Sequence, residues 1–248
     1  MNKSIRRILI GTVLFLMGVM ILLAILILTK TVCINKMFVS DDDIIGVDVS
    51  EYQDKIDMKR LSEQNIDFVY IRATEGSSYQ DACFRENWKN AHECGLLAGA
   101  YHFFSFDSSG ETQARNYIET VGELEGDLIP VVDFEYYGDK EKNRPDKEKV
   151  LRELHIFLEI LEKEYGVKPM IYTLKNIYSV YLDDEVDGYP LWVRNVFYPA
   201  ALDGWGDYVM WQYLDTAQLD GYSGGEKYID MDVLAAGMTL EKITLHKQ

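Results

Sequence analysis

Three apolar runs in this chain carry acidic residues where a buried strand has no structural use for them. The run IIGVDVS (44–50) ends with Asp48, LIPVVDFE (128–135) ends with Asp133 and Glu135, and IDMDVL (229–234) contains Asp230 and Asp232. Asp133 and Glu135 stand at i and i+2, so on a strand both side chains point to one face, about 6.6 Å apart along the backbone. A polar group in so Val-rich a setting is costly unless it is used or paired. Two carboxylates that converge on an apolar-walled site push one pKa upward, and a Glu kept protonated near neutral pH in this way is a general acid. The bland alternative is that these acids cap neighbouring loops or pair with Arg72 or Arg194. It explains a single acid more readily than acids on three separate strands.

For those acids to meet, the strands that carry them must share one sheet. Period-2 and short apolar runs give eight strand candidates, at 44–50, 68–74, 97–104, 128–135, 169–173, 191–196, 208–214 and 229–234. The first five alternate with helical stretches at 58–65, 84–93, 111–122, 147–165 and 175–182; the clearest is 147–165, with Val150, Leu154, Phe157, Leu158 and Leu161 along one face. Alternating β and α argues for a parallel sheet with helices outside it, and eight strands suggest closure. After Leu182 the helical pattern stops. The expected fold is therefore an irregular β/α barrel, five β/α units followed by three strands, with its chemistry at the carboxyl ends of the strands.

Composition narrows the setting. Five of the 25 basic residues and none of the 41 acidic ones lie in residues 1–40, so the remainder carries 20 against 41, a formal charge of -21. Such a domain repels phosphates, and a nucleic-acid partner is not expected. Residues 8–29 run without a charge, ILIGTVLFLMGVMILLAILILT, and as a helix would span about 33 Å, enough to cross the lipid bilayer. Arg6 and Arg7 also suit a cleaved signal peptide, but the run exceeds an h-region of roughly 7 to 15 residues and no small-residue cleavage site follows Lys30. The bias of Lys3, Arg6 and Arg7 against Lys30 and Lys36 puts the amino terminus in the cytoplasm and the domain outside the cell. The expected organisation is a cytoplasmic tip and signal-anchor helix (1–30), a short stalk (31–43), the barrel (44–237) and a carboxyl-terminal tail (238–248). Cys33, Cys83 and Cys94 are too few for a disulfide framework, and a helix at 84–93 would hold Cys83 and Cys94 roughly 16 Å apart, out of bridging reach. His102 stands alone and reads as structural. No His/Cys cluster has zinc spacing and no Gly-rich phosphate loop occurs, so neither a metal nor a cofactor is expected.

Taken in order and spacing, GVDVSEYQDKID, YIRATEGSSYQDACFRENWKNAHECGLLAGAYHFF, PVVDFE, MIYT, PLWV, WQY and IDMDVL resemble the pattern of glycoside hydrolase family 25, the Chalaropsis-type lysozymes, over residues 44–237. The resemblance implies the five-plus-three barrel and hydrolysis of the β-1,4 bond between N-acetylmuramic acid and N-acetylglucosamine in peptidoglycan strands. It implies Glu135 as general acid, Asp133 as its partner in the D-x-E motif, and Asp48 and Asp230 as two further site carboxylates. Asp232 departs from the pattern, since the family more usually has Asn there, and implies extra negative charge in the site. Tyr101, Tyr172, Trp192 and Trp211 are the candidate sugar-binding aromatics; core packing serves each about as well as stacking, and Tyr101 and Tyr172 are the stronger pair.

Two other classes fit parts of the pattern. D-x-E on a fourth barrel strand also serves chitinases and endo-N-acetylglucosaminidases, but their D-x-x-D extension is absent, since 128–132 holds no acid. A non-catalytic glycan-binding or scaffold barrel has no use for Glu135. No wall-binding repeat follows the barrel, so the membrane segment would supply localisation, for local wall remodelling such as opening a path for envelope-spanning secretion or transfer machinery. The role of Asp133 stays open at this level. It could be a nucleophile at about 5 to 5.5 Å, a base acting through water at about 6.5 to 9.5 Å, or a support for attack by the substrate's own N-acetyl group.

Overall fold

The alternation of apolar runs and amphipathic stretches becomes a closed sheet wrapped by helices in the computed structural model, which describes residues 2–246. The strands are β1 (Ile45–Val49), β2 (Phe68–Glu75), β3 (Tyr79–Gln80), β4 (Leu97–Phe103), β5 (Val131–Phe134), β6 (Met170–Leu174), β7 (Leu191–Arg194), β8 (Met210–Ala217) and β9 (Ile229–Leu234). The helices are α1 (Lys3–Leu28), α2 (Met58–Ser62), α3 (Phe84–Cys94), α4 (Gly110–Val121), α5 (Lys147–Tyr165) and α6 (Lys175–Ile177), the last running into a single π turn, Tyr178–Leu182. Strands β1, β2, β4, β5, β6, β7 and β8 pair in parallel, each with the next. Strand β9 runs antiparallel between β8 and β1 and closes the ring, while β3 is a two-residue hairpin on β2. Helices α2 to α6 occupy the first five connections and among the described residues no α-helix follows, which is the irregular five-plus-three barrel expected from the sequence.

All eight expected strands form, some shorter than their apolar runs. In 128–135 the regular strand is confined to Val131–Phe134, since Pro130 has no N–H to donate; Leu128 N still donates to Ala98 O of β4 at 2.8 Å, and Leu128 also bridges to Thr244. Helix α5 starts on Asp146, whose side chain accepts from Lys149 N at 2.9 Å, and stops at Gly166 in the left-handed region (φ 72°). Its apolar face is buried against the outside of the sheet, with Phe104 and Phe134 beneath it. Inside the ring, Phe68, Tyr70, Val131, Met170, Trp192 and Met210 fill the lower barrel. Gly46 and Gly99 leave room there, because a Cβ on either would collide with the ring of Phe68 or Tyr70.

Both expected appendages of the barrel are built into it. The 3-10 turn Leu240–Ile243 plugs the barrel floor: Ile243 is buried in the inner core, Ile129 N donates to Ile243 O at 2.8 Å, and Leu245 N donates to Asp127 O at 2.7 Å. The stretch expected as a stalk is docked as well. Asn35 is fully buried in a second 3-10 turn (Ile34–Met37), and Cys33 and Val39 pack against the outer core. No local periodicity encodes either segment, since each is held by backbone partners far away in sequence. Helix α1 is long and apolar enough to cross a membrane, and none of its apolar window is buried against the barrel. The three cysteines are free thiols, with Cys83 and Cys94 at opposite ends of α3.

Candidate active site

Strand register, rather than sequence proximity, assembles the acids. Asp48 on β1 pairs with Asp230 on β9, and Asp133 on β5 is flanked by Phe103 on β4 and Tyr172 on β6. Asp230 lies at the start of β9, not its carboxyl end. It reaches the common rim because β9 runs against its neighbours. Phe134 packs outward beneath α5, which turns Asp133 and Glu135 inward on either side of it. Asp48, Asp133, Glu135 and Asp230 all line one cavity of about 410 Å³.

The bland alternative of arginine-paired acids does not describe these four. Arg72 is engaged by Asp81 at 3.0 Å, Glu51 at 3.3 Å and Glu75 at 3.9 Å, and Arg194 by Asp215 at 2.7 Å. Among the described residues no ion pair takes up Asp48, Asp133, Glu135 or Asp230, and Asp133 Oδ1 is buried without a hydrogen-bond partner. Burial therefore dominates their titration. It pushes Glu135 up to about 7, with the Arg194 charge pulling down and Asp48 pushing up. Asp133 is held well above the ordinary carboxylate range, first by burial and then by Glu135 and Asp48. Asp230 is raised in the same way by burial and Asp48, against the pull of Arg194. Asp48 rises only to about 6, because Gln212 Nε2 donates to its Oδ2 at 2.6 Å. Tyr172 Oη in turn donates to Gln212 Oε1 at 2.9 Å, which fixes the amide with its nitrogen toward Asp48.

The surroundings of Asp232 work against the negative charge its departure from Asn implies. It is fully buried, its Oδ1 accepts from Trp192 Nε1 at 2.9 Å, and its carboxyl shares a hydrogen bond with that of Asp48. Burial, then Asp48 and Asp230, holds this carboxyl well above the ordinary range, which disfavours its charged form. A neutral acid is close to Asn in shape and in charge.

The aromatic candidates divide. Tyr101, Tyr172 and Trp192 line the cavity, joined by Tyr52, Phe103 and Tyr228. Trp192 is nearly buried, its N–H is occupied by Asp232, and its ring meets Tyr172 edge-on at 5.0 Å, so it is floor rather than open platform. Trp211 is outside the site. Strand β8 turns Gln212 inward, alternation therefore turns Trp211 outward, and its indole donates to Asn195 O at 2.9 Å within the outer core. His102 is the structural residue expected: it lies within hydrogen-bond reach of Thr74 (2.7 Å) and Gln113 (3.1 Å), stacks on Phe157, and is pushed down to about 4 by burial.

Sequence reasoning missed several residues of the cleft. Gln212 had a legible signal, an amide between Trp and Tyr in an apolar run. Asp215, Glu226 and Tyr228 had none, since Asp215 is brought in by the register of β8 and the other two by the loop that precedes β9. The loops that carry Tyr52 and Tyr228 are tied into one wall by Gln53 Nε2 to Tyr228 O (3.0 Å) and Glu226 N to Tyr52 O (3.0 Å).

Known proteins resemble this chain in sequence and in fold. The sequence profile of the glycosyl hydrolases family 25 matches residues 47–222. The curated protein "Uncharacterized protein YegX" of Escherichia coli (strain K12) is 35% identical over 187 residues, covering 73% of this chain and 66% of its own length, so the chain spans just under two thirds of that relative. A solved structure of a family 25 glycosyl hydrolase from Bacillus anthracis is 43% identical and superposes with a TM-score of 0.73, over 79% of this chain and 90% of that one. The bacterial lysozyme from Streptomyces coelicolor, 26% identical, superposes with a TM-score of 0.72 over 82% of this chain and 96% of that one. Because the profile covers most of the barrel and a family 25 structure at this identity follows it over nearly its whole length, the chain belongs to glycoside hydrolase family 25.

Proposed function

We propose that this chain is a membrane-anchored muramidase that cuts peptidoglycan strands at the β-1,4 bond between N-acetylmuramic acid and N-acetylglucosamine. The observation that carries this reading is the Glu135 carboxyl, pushed up to about 7 in an aromatic-walled cleft and flanked by acids that form no ion pair with an arginine among the described residues. At neutral pH a large share of such a group is protonated and able to protonate the bridging oxygen as the glycosidic bond breaks. Positive charge then develops at the anomeric carbon, facing the remaining acids. Attack by the substrate's own N-acetyl carbonyl closes an oxazolinium ring, and Asp133, whose Oδ1 is left without a protein partner in the cavity, accepts the acetamido N–H and in its ionised form balances the positive charge. Glu135, now a carboxylate, takes a proton from the water that opens that ring. Asp48, held by Gln212, and Asp230 complete the carboxyl wall around the reacting sugar.

Helix α1 supplies the anchor in this reading, with Lys3, Arg6 and Arg7 on the cytoplasmic side and the barrel outside. Two measurements test the proposal. Purified peptidoglycan should release soluble muropeptides while chitin is left intact; turnover of chitin at a similar rate would favour the glucosaminidase class. The full chain should stay in the membrane fraction after high-salt and carbonate washing, whereas a mature amino terminus near residue 31 would replace the anchor with a cleaved signal.

A further inference from the structure

The residues between α1 and β1 reach into the wall of the cleft. Lys30, two residues past the last residue of α1, forms an ion pair with Asp215, and the same Asp215 oxygen accepts from Arg194 at 2.7 Å. Both Asp215 and Arg194 line the cavity, and Arg194 is the cation that restrains Glu135 and Asp230. Five residues later, Asn35 donates from Nδ2 to Asn195 O at 2.8 Å and to Tyr213 O at 2.9 Å, joining the chain after β7 to β8 at the rim. A fully buried amide making two such bonds is a fixed joint rather than a passing contact. Lys30 also lies 5.6 Å from the ring centroid of Phe197, which is partly exposed with Tyr198 beside it. Partly exposed aromatic rings next to the end of an apolar helix suit the headgroup layer of a bilayer.

The consequence is one of reach. Thirteen free stalk residues could carry the barrel up to about 45 Å from the membrane. As docked, only two residues and one lysine side chain separate the end of α1 from a cleft-lining carboxylate. We propose that residues 30–39 hold the cleft rim at the bilayer surface, so that the substrate is glycan lying at the membrane rather than the distant layers of the wall. This rests on the anchored-muramidase reading and narrows its substrate.

The test uses the full chain in lipid vesicles and a variant with a flexible 20-residue Gly/Ser insert between Thr29 and Lys30. That insert keeps the Lys30 contact while adding about 25 Å of reach. Each is offered glycan strands tethered to a lipid in the same vesicle, and insoluble wall fragments added from outside. The parent should cut the tethered glycan and be at least tenfold slower than the insert variant on the fragments, with the two equal in detergent. Equal rates on the fragments from vesicles would overturn the proposal. A readout independent of activity separates this failure from that of the muramidase reading. Trypsin should leave the bonds after Lys30 and Lys36 uncut in the folded full chain, and Asn35→Ala should speed cutting there at least tenfold with the barrel still folded. Rapid release of the barrel from the parent, or no change in Asn35→Ala, would overturn the docked segment even if both proteins were inactive in detergent.

Discussion

Replacing Glu135 by Gln should abolish activity and stabilise the fold, and the stabilisation should depend on pH. The Glu135 carboxyl sits at about 7 in the folded protein against an ordinary value of 4.5. A folded value raised above the unfolded one gives stability that is fully present below about 4.5 and is lost as pH rises through about 7. At 1.36 kcal/mol per pH unit, the folded protein at pH 8 carries a penalty of about 3 kcal/mol for ionising this group. Gln has no such charge. Glu135→Gln should therefore match the parent near pH 4 and exceed it by up to about 3 kcal/mol at pH 8, or roughly 6–12 °C in Tm for a domain of this size. Urea unfolding and thermal melts at the two pH values measure the difference, while turnover of peptidoglycan should fall by about 10² to 10⁴. An equal offset at both pH values, a less stable variant at pH 8, or a loss of activity under about tenfold would each show that Glu135 is not a buried, protonated general acid.

Further expectations concern its neighbours. Asp232→Asn should keep activity within about threefold and leave the pH profile in place, because an acid whose charged form is disfavoured is exchanged for a neutral amide; an alkaline limb moved downward by more than roughly half a pH unit would mean that Asp232 is ionised. Arg194→Met removes the charge that holds Glu135 and Asp230 down, so the alkaline limb of kcat/KM should move upward by roughly half a unit or more, and an unmoved limb would remove Arg194 from the electrostatics of the site. NMR of the first-formed product should show retained anomeric configuration; an inverted product would sink the N-acetyl route, and a covalent adduct trapped on Asp133 would replace it with direct attack.

The sequence spoke most clearly where structure is local. Short apolar runs and the single apolar face of 147–165 mark the strands and α5 because period and burial go together. The D-x-E pair was legible for the same reason, as i and i+2 share a face wherever a strand ends. Asp230 was assigned to the site on the expectation that acids gather at carboxyl ends, yet it arrives from the opposite end of a reversed strand. Trp211 could not be told from Trp192 by sequence, since which face is inward depends on the register of β8 against β7 and β9. Lys30, Asn35 and Ile243 looked like linker and tail because their partners, Asp215, the Asn195 carbonyl and the Ile129 amide, lie more than a hundred residues away. Asp232 read as a charge because a sequence does not reveal that a carboxyl is sealed under Trp192 beside two other acids.

The decisive measurement is the identity of the new reducing end. Purified peptidoglycan digested by the protein, reduced with borohydride and analysed by mass spectrometry, should yield muropeptides ending in reduced N-acetylmuramic acid, with none formed by Glu135→Gln. New ends carrying reduced N-acetylglucosamine would contradict a muramidase, and an intact polymer after incubation with correctly folded protein would contradict a hydrolase altogether.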